Sequence, residues 1–180
     1  MSPPTTLDLA MAPSLHQRFL ALLDAHGAAV ARTVRGYARN EAERADLEQE
    51  VALALWIGLP GFRGDCAERT FVLRIAHNRA LAFLSRRTRR AEQAPVPERA
   101  SPAADPEQRA SGAERLRALH AALSEIPLGL RQVLLLALEG LSHEEIGAVL
   151  GITANNAAVR LSRARAALRE RMGEKKEEAP

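Results

Sequence analysis

The sequence predicts an all-α chain, built as two small helical domains joined by a flexible linker. Three observations carry that expectation. The 180 residues are 47% hydrophobic but only 3% aromatic, so packing rests on Ala, Leu, Val and Ile, and no run alternates β-branched with polar residues as a half-buried strand would. Residues 94–106 contain Pro95, Pro97, Pro102 and Pro106 among small and charged residues, a composition that cannot form a core and reads as a tether. Near the C-terminus, two helix signatures sit on either side of one glycine-marked turn.

Taken in order, residues 1 to about 13, with Pro3, Pro4 and Pro13, read as a frayed leader. Helical periodicity begins at Leu15, where Phe19, Leu22, Leu23, Ala29, Val30 and Val34 recur at helical spacing, with Gly27 as an expected irregularity. A second helix is expected over Glu41–Ile57. Gly58 to Asp65 is dense in breakers and predicts a loop, and a long third helix runs from about Ala67 to Arg90. After the linker, helicity resumes at Ser111–Ile126, breaks at Pro127 and continues over Leu130–Leu138. The domains are thus expected at 14–92 and 111–173, with the linker at 93–110.

Ser142 with Glu145 three residues on is a capping box that starts the next helix. Gly151 can end it in the left-handed conformation, and Thr153 can cap its successor. Helices joined so tightly must cross steeply, and Gly147 has no side chain where they would approach. That is the pattern of a helix-turn-helix, whose second helix can enter the major groove of DNA.

Charge is distributed rather than merely positive. The net charge is +3 and the isoelectric point about 9.7, but acid gathers over Glu41–Glu50 and base over Arg86–Arg90 and Arg160–Arg171. In the acidic helix, Asp46, Gln49, Glu50 and Leu53 share one stripe, beside an inward stripe of Leu47, Val51, Ala54 and Leu55. The outward stripe is a solvated face or a docking face. In the third helix, Arg74, His77, Asn78, Leu81 and Ser85 share a face, followed by Arg86, Arg87, Arg89 and Arg90, opposite an apolar side of Val72, Ile75, Ala76, Ala80 and Phe83. Such a face suits phosphate and base contact, or complements a helix C-terminus. In the last helix, Ala157, Leu161, Ala164 and Leu168 point inward. Asn155, Asn156, Ala158, Val159, Ser162 and Arg163 point outward, with Asn and Arg able to bond adenine and guanine edges and Val159 able to meet a thymine methyl. Arg160 and Arg165 suit phosphates; the alternative is an ordinary surface helix.

No catalytic constellation competes. His16, His26, His77, His120 and His143 are scattered, no glycine-rich phosphate loop or strained serine appears, and neither a cofactor nor a metal is expected. Cys66 is the single cysteine, so no intramolecular disulfide can form, which suits a reducing cytoplasm. No targeting segment or membrane-spanning run is evident.

Assembled, these motifs resemble the bacterial extracytoplasmic-function (ECF, group 4) sigma factors of RNA polymerase, from about Leu15 to Met172. Asp46-Leu47-Glu48-Gln49-Glu50-Val51 is similar to that family's polymerase-binding motif. Phe62-Arg63-Gly64 and Thr70 to Asn78 are similar to its promoter-melting, −10-reading region. Glu139 to Ile146 and Val159 to Arg165 are similar to its −35-reading domain. The resemblance implies a non-enzymatic specificity subunit. Asp46, Gln49, Glu50 and Leu53 would dock on the β′ clamp helices of core RNA polymerase, and the second domain would rest on the β flap. Arg63, Arg74, His77, Asn78, Arg86, Arg87, Arg89 and Arg90 would serve the −10 element, the Phe62–Cys66 loop and Asn78 helping to capture an unstacked base. Asn155, Asn156, Val159, Arg160, Ser162, Arg163 and Arg165 would serve the −35 element. An anti-sigma protein is implied as a further partner. The family usually carries Trp where Phe71 stands, and Thr and a basic residue where Asn156 and Ala158 stand. Competing expectations are a stand-alone DNA-binding regulator, which has no use for the acidic docking face, and a sigma-like chain that serves only to bind a partner.

Overall fold

The computed structural model describes residues 13–93 and 112–173; the expected leader and most of the expected linker lie outside them. The described residues are helical throughout, with no strand, in agreement with the all-α class. Helix α1 spans Leu15–Arg35, α2 Glu41–Gly58 and α3 Glu68–Gln93, with a short 3-10 turn at Leu59–Gly61. The second group is α4 (Gly112–Glu125), α5 (Leu128–Leu138), α6 (His143–Leu150) and α7 (Ala154–Arg171).

Each start has a local cause. Ser14 and Gln17 form a capping box at α1, and Asn40 caps α2 by accepting from the Glu43 amide at 2.8 Å. Glu41 and Glu43 in the first turn of α2 complement the helix dipole. Helix α1 runs unbroken through Gly27, contrary to the expected irregularity. Nothing lies within 4 Å of where its Cβ would stand, and a lone glycine costs a long, packed helix only about 1 kcal/mol.

In the first group, α1, α2 and α3 pack on one another. Leu22 and Val34 of α1 meet Leu47, Val51 and Leu55 of α2 and Val72, Leu73, Ala76 and Ala80 of α3, all essentially buried. In the second group, α7 packs along α5 and α6, burying Val133, Leu136, Ile146, Ala157, Leu161 and Ala164.

The two groups also touch. Glu139, at the end of α5 and only 4% exposed, accepts two 2.8 Å hydrogen bonds from Arg32 of α1 and a longer one, 3.4 Å, from Arg69 of α3. The Thr70 hydroxyl donates to Glu145 of α6 at 2.6 Å. Gly36 abuts Leu135, whose side chain would lie 2.6 Å from a Cβ at that position, and the Arg131 guanidinium lies 5.9 Å from the centre of the Tyr37 ring. No helix among the described residues is long and apolar enough to cross a membrane.

Candidate functional site

Three surfaces carry the expected site residues. The first is a groove of about 590 Å³ between α2 and α3, lined by Glu43, Asp46, Gln49, Glu50 and Leu53 on one wall and Phe83, Arg86, Arg87 and Arg90 on the other. Full burial of Leu47, Val51 and Leu55 turns the neighbouring stripe of α2 outward, so Asp46 and Gln49 are exposed and Leu53 is 61% exposed. Glu50 and Arg86 form an ion pair at 2.6 Å, and Glu43 and Arg87 one at 2.8 Å. The Arg86 guanidinium lies 5.9 Å from the centre of the Phe83 ring. The acidic motif and the basic cluster, read separately in the sequence, are therefore two walls of one surface.

The second surface is the loop after α2 and the outward side of α3. Phe62 stacks on Phe71 at 4.5 Å between ring centres, and Gly64 takes a φ of +80° that favours glycine. Phe71 is buried, so it anchors the loop from below instead of offering a stacking surface. Arg63, Arg74 and Asn78 are exposed, the last two one helical turn apart. Cys66 is half-buried and packs against the core.

His77 requires a correction: the structure removes it from this surface. It is 1% exposed and its Nδ1 shares a 2.8 Å hydrogen bond with the buried Tyr37 hydroxyl. Burial lowers its pKa to about 4 and raises that of Tyr37, so both are neutral at pH 7. Phe83, placed by the periodicity on the apolar side, packs against the core and also lines the groove, while Leu73 and Leu84 are buried in the core as well.

The third surface is the helix-turn-helix. The Ser142–Glu145 capping box is complete, Gly151 adopts φ +67°, and Thr153 accepts from the Asn156 amide at 3.2 Å. A Cβ on Gly147 would stand 2.6 Å from the Ile152 carbonyl oxygen, the close approach expected from the turn. Asn155, Asn156, Ser162, Arg163 and Arg165 are exposed and Val159 is 43% exposed. Arg160 is half-buried, its guanidinium close to Gly129 of α5.

Sequence reasoning missed the contact between the groups. Arg32 and Glu139 lie 107 positions apart, and no local periodicity links them. Among the described residues, no three His, Cys, Asp or Glu side chains cluster as metal ligands would.

A helical chain with an outward-facing helix-turn-helix has the architecture of a DNA-binding protein. Comparison with known proteins identifies the class. The family described as Sigma-70 region 2 matches residues 22–90, and Sigma-70, region 4 matches residues 116–168. The chain is 32% identical over 170 residues to the RNA polymerase sigma factor CnrH of Cupriavidus metallidurans, covering 88% of this chain and 89% of that protein. It is 29% identical over 156 residues to the sigma factor NccH of Alcaligenes xylosoxydans xylosoxydans, covering 83% and 84%. Among solved structures, CnrH in complex with the cytosolic domain of CnrY superposes with a TM-score of 0.62 at 26% identity, over 89% of this chain and 91% of that one. The sigma factor RpoE of Bartonella quintana, in complex with the anti-sigma factor NepR, shares the fold with a TM-score of 0.71 at 21% identity, over 92% and 100%. The chain belongs to the sigma-70 family, among the extracytoplasmic-function sigma factors, and directs promoter-specific initiation by RNA polymerase.

Proposed function

We propose that the chain is a group 4 sigma factor of the cytoplasm, with no catalysis of its own, that divides its work among the three surfaces. The α2 stripe of Asp46, Gln49, Glu50 and Leu53 docks on the β′ clamp helices of core RNA polymerase, and the second helical group rests on the β flap. Arg63, Arg74 and Asn78, with the Phe62–Cys66 loop, engage the −10 element as it opens. Helix α7 lies in the major groove at the −35 element, with Asn155, Asn156, Val159, Ser162 and Arg163 toward bases and Arg160 and Arg165 toward phosphates. An anti-sigma protein is a further partner, by analogy with two solved relatives, CnrH in complex with the cytosolic domain of CnrY and RpoE in complex with the anti-sigma factor NepR.

One observation carries the reading. The outward side of the acidic helix α2 leaves Leu53 61% exposed beside the exposed Trp56 and Ile57, an apolar patch that a stand-alone regulator does not need. The test mixes purified protein with core RNA polymerase on fragmented genomic DNA and maps transcript starts. New starts sharing upstream motifs are expected, and Leu53→Ala with Asp46→Arg should abolish them without unfolding the chain. DNA binding without polymerase-dependent starts would favour the stand-alone regulator.

A further inference from the structure

Both walls of the α2–α3 groove repeat the same pattern. On α2 the lining residues are Glu43 and then Asp46, Gln49, Glu50 and Leu53; on α3 they are Phe83, Arg86, Arg87 and Arg90. From Asp46 and from Phe83 each series runs i, i+3, i+4, i+7, a stripe about two turns, roughly 10 Å, long, which Glu43 extends by one turn on α2. The walls are opposite in charge, and Leu53 and Phe83 give the groove apolar surface.

A phosphate backbone is a poor occupant. Laid against Arg86 and Arg87, it would also meet Glu43, Asp46 and Glu50 across the groove, and like charges at that range repel. The arginines are moreover engaged with those carboxylates. Neither pair is saturated. A guanidinium has five N–H donors and a carboxylate about four acceptor sites, and Arg86 binds both Glu50 oxygens through a single nitrogen. The side chains of Arg86 and Glu50 remain 41% and 37% exposed. Arg90 extends the basic wall, is exposed, and pairs with no carboxylate among the described ion pairs.

From this we infer that Arg86, Arg87 and Arg90 belong to the protein-docking surface and not to the DNA-contacting one, and that the groove takes a mixed-charge amphipathic helix of its partner. That helix sets a cation against Asp46 and Glu50, a carboxylate against Arg86 and Arg90, and an apolar side chain over Leu53 and Phe83. The inference rests on the proposed polymerase docking and adds a second, basic half to it. Of the arginine cluster, Arg89 alone lines no part of the groove. It is exposed and, among the described residues, bonds back to Ser85 on its own helix, and it stays available to phosphates.

The test measures the affinity of full-length chain for core RNA polymerase, together with binding of the assembled holoenzyme to promoter DNA. The variants are Glu50→Gln, Leu53→Ala, Arg86→Gln, Arg90→Gln and Glu50→Gln with Arg86→Gln, each checked for an unchanged unfolding midpoint. Arg86→Gln and Arg90→Gln should each weaken core binding about tenfold, and Arg86→Gln should still do so when Glu50 is already Gln. Arg90 pairs with no carboxylate among the described residues, so its effect is not that of a disturbed Glu50. If Arg90→Gln is silent and Arg86→Gln matters only while Glu50 is charged, Arg86 merely positions Glu50 and the inference falls. If both arginine variants leave core binding intact but weaken promoter binding and flatten its salt dependence, they are phosphate contacts and the inference falls. If Glu50→Gln and Leu53→Ala are also silent in core binding, the docking assignment itself is wrong.

Discussion

His77 and Tyr37 form a neutral polar pair inside an apolar core, and that pair makes stability depend on pH. The folded pKa of His77 is about 4, against 6.5 as its ordinary value. Between those values the unfolded chain binds more protons, so stability rises with pH across that window and is lost as pH falls through it. The loss amounts to roughly 2 kcal/mol at pH 5 and approaches about 3 kcal/mol below pH 4. Urea unfolding of wild type and His77→Gln at pH 7 and pH 5 isolates this share, since other groups titrate alike in both. The variant should lose about 2 kcal/mol less than wild type on acidification; equal losses would show that His77 is not buried neutral. The sequence could not have placed this residue. Periodicity put His77 on the stripe of Arg74 and Asn78, and what draws it inward is a hydroxyl 40 positions away.

At the scale of helices, legibility followed the range of the interaction. Caps and turns are decided within three or four residues, so Ser142, Glu145, Gly151 and Thr153 could be read directly and stand where they were expected. The stripe of Leu47, Val51, Ala54 and Leu55 was equally legible, because one face of α2 is buried and the other is not. Helix α3 is buried more broadly, from Phe71 through Leu84, which blurs its two faces and explains why His77 was misplaced. The groove was illegible for a different reason: α2 and α3 declare their charges separately, and only packing sets them opposite each other. Gly147 is the sharpest constraint on the helix-turn-helix. In Gly147→Ala the new methyl would stand 2.6 Å from a backbone carbonyl, which no rotamer change relieves. The turn must open at a cost of about 1–3 kcal/mol. Denaturation should show that loss, and holoenzyme binding to a −35-dependent promoter should fall with it; wild-type stability would mean that α6 and α7 do not cross as closely as described.

For the whole molecule, the contact between the two helical groups sets a limit on function. A compact body of about 150 residues has a radius of gyration near 15 Å, hence a diameter of roughly 40 Å. Promoter elements named for positions −10 and −35 are centred roughly 25 base pairs, or about 85 Å, apart along straight DNA. With the Arg32–Glu139 and Thr70–Glu145 contacts intact, the chain cannot occupy both, so the groups must separate before the proposed promoter reading. Residues 94–111 can span at most about 60 Å between the ends of α3 and α4, enough to bridge the distance when the domain radii are added. Glu139 is the charged centre of the contact, nearly buried while its partners Arg32 and Arg69 are 57% and 46% exposed at the side chain. Solvent screening discounts its hydrogen bonds to about 1–2 kcal/mol in all, which shifts a closed-to-open ratio by roughly 5–30-fold. Glu139→Gln keeps the shape of the side chain and removes its charge. Small-angle scattering should show a larger radius of gyration for this variant at low salt, with unchanged helicity. Wild type should expand toward the same value as ionic strength rises, because the pairs are partly open to solvent. Promoter-directed transcription by the variant should persist, since the proposed reading of both promoter elements uses the open form. A scattering curve insensitive to both Glu139→Gln and salt would mean that apolar contacts such as Leu135 against Gly36 hold the groups together, and that opening needs a partner to drive it.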